Sequence, residues 1–270
     1  MINSVVCLKE VPDTAEARVD PKTGNLIREG IPSIINPYDT HAVEEALRIK
    51  EAHGGTVTIL CMGPAKARDS VRKALGMGAD RGILLSDRAF AGSDTLATSY
   101  ILAQAIKKLM AEGPVDLVWC GKQAIDGDTA QVGPGIATRL GMAQLTYVSE
   151  IIWVKPEQRQ LRAARKLEGG REVLTAGLPA LITVEKAINE VRYASFPNML
   201  KAAGAEIEVW DKTSVDLDDS RIGLKGSPTT VGRIFTPPPR PGGRVRQGDP
   251  RRLVKELADE LFNRVLIMDK

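Results

Sequence analysis

Gly121-Lys122-Gln123-Ala124-Ile125-Asp126-Gly127-Asp128-Thr129-Ala130-Gln131-Val132-Gly133-Pro134-Gly135-Ile136-Ala137-Thr138-Arg139-Leu140 follows the apolar run Asp116–Cys120, and its reading decides the fold. A strand-like run that ends in a Gly/Asp/Thr loop and opens into a helix is how an α/β fold builds a phosphate site. Amides at a helix start are unpaired and carry partial positive charge, so they attract anionic oxygen. Gly127 lets the main chain come close to such a ligand. Asp126 and Asp128 would repel a phosphate, so they are expected to cap backbone amides or to accept from ribose or base donors. Thr129, Gln131 and the amides are then left for the phosphates. The competing reading is an ordinary strand-to-helix turn, since a loop motif is weak evidence outside its structural context.

Upstream, strands and helices alternate. Ser4–Leu8 reads as a buried first strand running into the turn Lys9-Glu10-Val11-Pro12-Asp13. That strand end is where an open parallel sheet places ligand contacts. Arg18–Gly30, with Pro21 and Gly24, reads as a surface hairpin or excursion. Asn36-Pro37-Tyr38-Asp39 reads as a helix start, with Asn36 as N-cap, Pro37 at the first helical position and Asp39 favourable in the first turn. Gly54-Gly55 stops that helix; Thr56–Met62 and Arg81–Leu85 are the next strands, and Gly92-Ser93-Asp94 leads into a long helix. The regular alternation predicts right-handed crossovers and a mostly parallel sheet covered on both faces.

Downstream the pattern changes. Thr146–Val154, Gln160–Lys166, Glu172–Leu174 and Ala180–Glu185 read as strands without intervening helices, which predicts an antiparallel addition to the sheet. Ala187–Lys201 is a loop with Tyr193, Phe196 and Met199 followed by a short helix capped near Ser195, suited either to partner contact or to core packing. Leu217–Gln247 is rich in Pro, Gly and Arg and is not expected to form a packed core. Asp249-Pro250 starts a last helix with Leu253, Leu257, Leu261 and Val265 one turn apart, a stripe most economically buried on another subunit.

Composition bounds the function. The 270 residues carry a formal charge of +3 with both signs mixed along the chain, which does not suggest nucleic acid binding. The arginines at 233, 240, 244, 246, 251 and 252 are separated by Pro and Gly rather than aromatics, which fits a partner surface better. Cys7, Cys61 and Cys120 each sit in apolar runs without metal-ligand spacing and read as buried thiols of a reducing compartment. Neither a signal segment nor a membrane-length run is evident, so a soluble cytoplasmic protein is expected. With only two histidines and no nucleophile pattern, any chemistry has to come from a bound cofactor. No catalytic side chain and no metal are expected.

Val11-Pro12-Asp13, Asn36-Pro37-Tyr38-Asp39, Ala79-Asp80-Arg81-Gly82, Gly121-Lys122-Gln123-Ala124-Ile125-Asp126 and Arg192-Tyr193-Ala194-Ser195-Phe196-Pro197-Asn198 resemble, in order and spacing, the β subunits of electron transfer flavoproteins, the FixA/EtfB family. The resemblance covers nearly the whole chain. It implies a Rossmann-like α/β domain over 1–216 that holds an adenine nucleotide, and an arm with a helix over 217–270 that embraces an α subunit carrying a mobile FAD domain. In the family the nucleotide touches positions that fall here on Cys7, Asn36, Pro37, Tyr38, Asp39, Met62, Gly121, Lys122, Gln123, Ala124, Ile125, Asp126, Gly127, Asp128, Thr129, Ala130, Gln131 and Val132. The loop 187–201 resembles the family's recognition loop for dehydrogenases, with Arg192, Tyr193, Phe196, Pro197 and Met199 as its contacts and Phe196 as the anchor.

Ordinary members hold AMP in a more acidic, Asn-containing loop that ends Asn-Gln-Thr. The version here, together with Gly92-Ser93-Asp94-Thr95-Leu96-Ala97-Thr98, is similar to the electron-bifurcating branch, whose β subunit binds a second FAD. Asp94, Thr95 and Thr98 would then face the flavin. The resemblance implies NADH as hydride donor, ferredoxin or flavodoxin as the uphill acceptor, and an acyl-CoA dehydrogenase or quinone oxidoreductase downhill through the α-subunit FAD. The alternative is a non-bifurcating subunit with structural AMP.

Overall fold

The computed structural model describes residues 1–13, 18–19, 26–27, 32–230, 232, 242–243 and 245–268, the backbone alone at 18–19, 26–27 and 264–268. They belong to two compact units, residues 1–234 and 235–270. In the first unit the elements are β1 (Ser4–Leu8), β2 (Glu10–Pro12), β3 (Arg18–Val19), β4 (Leu26–Ile27), β5 (Ser33–Ile35), α1 (Pro37–His53), β6 (Val57–Met62), α2 (Arg68–Met77), β7 (Arg81–Leu85), α3 (Thr95–Glu112), β8 (Leu117–Gly121), α4 (Val132–Leu140), β9 (Ala143–Lys155), β10 (Gln160–Leu167), β11 (Gly170–Gly177), β12 (Ala180–Val184), α5 (Phe196–Gly204) and β13 (Glu208–Trp210). The second unit holds α6 (Pro250–Met268), whose first turn is capped by Asp249 accepting from the Arg252 amide at 3.0 Å.

Nine strands form one sheet in the order β11-β10-β9-β12-β8-β1-β6-β7-β13. The strands from β9 to β13 in that order run parallel, and β10 and β11 add antiparallel at one edge. The fold is therefore the expected α/β class with an antiparallel addition. Strand alternation sends side chains to two cores. Val6, Leu8, Ile59, Trp119 and Ile182 pack under α1, α2 and α5, while Val5, Cys7, Leu60, Cys120 and Leu181 pack under α3 and α4. The chain moves to opposite sides of β1 through β6 and through β8, so β1 and β8 flank a topological switch point, where the carboxyl ends of strands part and leave a crevice.

Three placements differ from the sequence reading. The run Ala180–Glu185 reads in the sequence as one more strand of the addition, but β12 lies between β9 and β8 and parallel to both, because all five of its residues are buried and only an interior position covers both faces. The short edge strand β13 has no counterpart in the reading. Leu217–Gln247 begins inside the packed unit: Ile222 is buried in the core under α3 and α4, and Leu217 packs against it. Of the expected excursion Arg18–Gly30, β3 and β4 pair antiparallel and the remainder lies outside the described residues, as do Pro237-Pro238-Pro239 and the arginines at 233, 240 and 244. Among the described residues no helix is long and apolar enough to cross a membrane.

Candidate functional site

A cleft of about 510 Å³ opens at the switch point. Its walls are the ends of β1, β6 and β8, the segment from Phe90 to the first turn of α3, and the loop from Lys122 to Val132 that leads into α4.

One buried carboxylate sets the shape. Asp39, in the first turn of α1, accepts from the Lys9 amide at the end of β1 (2.8 Å), from the Gly121 amide at the end of β8 (3.0 Å) and from the Asn36 side chain (2.9 Å). Burial pushes its carboxyl up to about 7, against the pull of those same donors. Gly121 is required here: a β-carbon would lie 2.3 Å from the Asp39 carboxylate oxygen. Asn36 occupies the N-cap position of α1, yet its side chain makes no cap bond. Its amide group donates to the Gln123 carbonyl (2.9 Å) and its oxygen accepts from the Ile125 amide (3.2 Å), which fixes the start of the long loop.

The loop's two carboxylates are held by side chains at the cleft's rim and stand outside its lining. Lys9 Nζ holds both oxygens of Asp126 at 2.7 and 2.8 Å, and Gln123 donates to Asp128 at 2.6 Å. The Lys9 ammonium thereby offsets the repulsion that Asp126 would offer a phosphate. Past them the backbone turns sharply: Asp128 and Ala130 sit at φ 53° and 54°, and Gln131 follows at φ −100°, ψ −24°. Alternation of left- and right-handed residues turns successive N–H groups toward one point, a concavity that binds anions. Among the described residues the amides of Thr129, Ala130, Gln131 and Val132 find no acceptor. A β-carbon on Gly127 would meet no atom within 4 Å, so the main chain is open to the cleft there.

Across from this nest the cleft is less polar. Leu8, Phe90 and Leu102 line it together with the thiols Cys7 and Cys120. The hydrogen bond with Cys7 and burial together push the Cys120 thiol well above its usual range, so it stays neutral. At the start of α3, Asp94 is spent on structure: it accepts from the amides of Leu96 (2.9 Å) and Ala97 (3.0 Å), and Thr229 donates to its other oxygen at 2.8 Å. Burial pushes its carboxyl up, but those bonds outweigh burial and hold it below the usual carboxylate range. Thr95 donates across the cleft to Gln131 Oε1 at 2.8 Å.

Of the residues expected at the nucleotide, Cys7, Asn36, Asp39, Met62, Asp94, Thr95, Thr98, Gly121, Lys122, Gln123, Ala124, Gly127, Thr129, Ala130, Gln131 and Val132 line the cleft. Pro37, Tyr38, Ile125, Asp126 and Asp128 stand outside its lining, where Pro37 opens α1 and the ring of Tyr38 lies under Lys186 at 4.9 Å. Leu8, Lys9, Phe90, Gly92, Ser93 and Leu102 also line it. The polar ones among them adjoin motifs visible in the sequence, whereas the apolar three carry no signal that separates them from core.

A second surface lies at 187–201. Tyr193, Phe196 and Met199 are 98%, 67% and 48% exposed, and Pro197 is exposed beside them. Arg192 does not join them. Its guanidinium turns back onto α1, donating to Glu44 at 2.7 and 3.1 Å and to Glu51. Asn189 adds bonds to the His41 carbonyl (3.0 Å) and Glu45 (2.8 Å). The base of the loop is therefore bolted to α1 while its apolar tips face outward. Among the described residues no cluster of metal-ligating side chains exists.

An electron transfer flavoprotein domain is recognised over residues 23–215. The chain is 49% identical over 266 residues to protein FixA of Azotobacter vinelandii, covering 97% of this chain and 95% of that one. It is 47% identical over 270 residues to the electron transfer flavoprotein subunit beta of Megasphaera elsdenii (97% and 99% covered), and 49% identical over 235 residues to that of Clostridium acetobutylicum (87% and 88%).

Proposed function

The chain belongs to the electron transfer flavoprotein family, among its β subunits and FixA proteins, and from that premise we propose that its cleft holds an FAD reduced by NADH within a heterodimer with an α subunit. The observation that carries this reading is the pairing of a nest of acceptor-free amides at Thr129–Val132 with a less polar end at Phe90 and Leu102. The nest suits a pyrophosphate and the far end a flat ring. Bound FAD would supply two-electron acceptance from a hydride and one-electron release. The chain's own part is to fix and shield: Asp39 and Asn36 hold the loop in place, and Lys9 neutralises Asp126. The neutral thiol of Cys120 keeps charge off the floor.

The two electrons would part, one to ferredoxin or flavodoxin and one through the α-subunit FAD to an acyl-CoA dehydrogenase or quinone oxidoreductase. Phe196 and its neighbours would dock that acceptor, since exposed apolar side chains on a fixed base suit a partner's pocket. The α6 helix, with Val254, Leu257, Leu261 and Phe262 exposed, would hold the α subunit.

A second reading keeps AMP in the cleft. The Thr95 to Gln131 hydrogen bond ties the two helix starts together across it and favours a shorter nucleotide beside the nest. Flavin and AMP content of the purified heterodimer separates the two. Two FAD and no AMP, with flavin bleaching by NADH, is the expected result; one FAD, bound AMP and no reaction with NADH overturns it in favour of the AMP scaffold.

A further inference from the structure

Leu96, next to the cleft-lining Asp94 and Thr95, belongs to a second recess of about 360 Å³. Its walls are Leu96 and Tyr100 of α3, Arg139 of α4 and the segment Ser220–Pro228. Three cations line it, Arg139, Arg221 and Lys225, and no acidic side chain does. Among the described residues none of the three forms an ion pair. Asp218 lies near enough to feel the charges of Arg221 and Lys225, but it is committed to the Ser220 amide (2.8 Å) and hydroxyl (2.7 Å).

The two arginines are held in place. Arg139 donates to the carbonyls of Gly135 (3.0 Å) and Leu96 (3.2 Å), while its Nε is a buried polar atom with no partner. Arg221 stacks on Tyr100, its guanidinium carbon 4.0 Å from the ring centroid, and the Tyr100 hydroxyl accepts from the Asp218 amide at 2.9 Å. Ser227 fixes the other end of the segment by accepting from the Asp94 amide (2.8 Å) and donating to the Gly223 carbonyl (2.6 Å). Like charges gathered without a counter-ion, beside a buried donor without an acceptor, are costly unless an anion completes them.

We propose that this recess binds a phosphate group, either free phosphate or the monoester of a small organic molecule, at a site separate from the nucleotide cleft. A tetrahedral dianion can take donors from three directions and balance most of the charge. A carboxylate would match one guanidinium fork and leave the other cations unpaired. Because Ser227 and Thr229 bond Asp94, which caps α3 at the cleft, an occupied recess would also stiffen one cleft wall.

The test is calorimetric titration of the purified, nucleotide-loaded protein with inorganic phosphate and, separately, with phenyl phosphate. Binding by one probe or both is expected, and the stronger probe tells free phosphate from monoester. Arg221→Gln and Lys225→Gln should each weaken binding about tenfold while the nucleotide content of the cleft stays constant, which also reports an intact fold. Absence of binding by both probes, or binding that neither substitution changes, overturns the proposal. So does phosphate binding that survives both and disappears with Gly127→Leu, which would place it in the nucleotide cleft. Weaker retention of the partner subunit in Arg221→Gln, without phosphate binding, would instead make the recess a carboxylate dock.

Discussion

At the cleft, Asp39 draws together Lys9, Asn36 and Gly121 from three stretches of chain, so the walls are set before any ligand arrives. At the Tyr193–Leu200 surface a comparable network stops at the base: Arg192 is clamped to Glu44 and Glu51, and beyond it Tyr193, Phe196 and Leu200 are 98%, 67% and 61% exposed. The first region spends its hydrogen bonds on shape and leaves a few amides over. The second leaves its apolar area over and uses hydrogen bonds only as a hinge pin. A preorganised cleft favours tight, selective retention, whereas apolar tips on a fixed base defer their burial to a partner.

The sharpest way to break this contrast is Gly127→Leu. Since a β-carbon there meets nothing within 4 Å, the variant should fold with unchanged circular dichroism while its side chain fills the cleft. Nucleotide content of this subunit should fall to near zero, and NADH-dependent reduction should vanish with it. Retained nucleotide would show that the ligand lies elsewhere.

Arg192→Ala tests the base of the other region. Burial alone would raise the Glu44 carboxyl, but the bonds from Arg192 and Arg48 outweigh it and hold it below its usual 4.5; the bond from Arg192 likewise lowers Glu51. Groups lowered in the folded state contribute stability above their ordinary value and lose it as pH falls through the folded value. The substitution should therefore cost about 2 kcal/mol at neutral pH, and the gap between variant and parent should close as urea titrations move below pH 4.5. A gap that stays constant with pH would mean that Arg192 acts through packing alone.

Phe196→Ala should do the reverse of Gly127→Leu. With the side chain 67% exposed, stability should change by about 0.5 kcal/mol or less, nucleotide content should not change, and electron delivery to the acceptor should slow about tenfold. A large drop in melting temperature would assign Phe196 to packing instead.

The sequence announced the alternation of strands and helices because each apolar run is bounded by Gly, Pro or Asp. It did not reveal where β12 goes, since five buried residues look alike in the middle of a sheet and beside it. Within the cleft, the strand ends and the Gly-rich loop were legible and their roles were not. Asp39 looked like a charge favourable at a helix start, and nothing local tells that it accepts from Lys9 and Gly121 far along the chain. Ala130 at φ 54° was invisible because only Gly or Asn advertises a left-handed position. Arg192 reads as a partner contact from the resemblance of its motif to the family's recognition loop, and its ion pairs to Glu44 and Glu51 on α1 could not be read there because those carboxylates lie far away in the sequence.

The smallest effect belongs to Thr95→Val, which probes the boundary between shape and ligand inside the cleft. Thr95 is the first residue of α3 and Gln131 immediately precedes α4, so their 2.8 Å bond joins two helix starts over the cleft. Valine keeps the volume and removes the donor, and because Gln131 is exposed, water can take the vacated place at Oε1. The loss should be about 0.5–1.5 kcal/mol, too little to empty the site. If a flavin sits against this helix start, that energy falls differently on its oxidised and reduced forms and should move its two-electron potential by about 10–30 mV, readable by spectroelectrochemistry. Gln131→Leu should produce a shift of similar size if the bond itself is responsible. Full nucleotide retention with no shift in either variant would mean that the Thr95 to Gln131 bond is a clasp over a shorter nucleotide and touches no redox group.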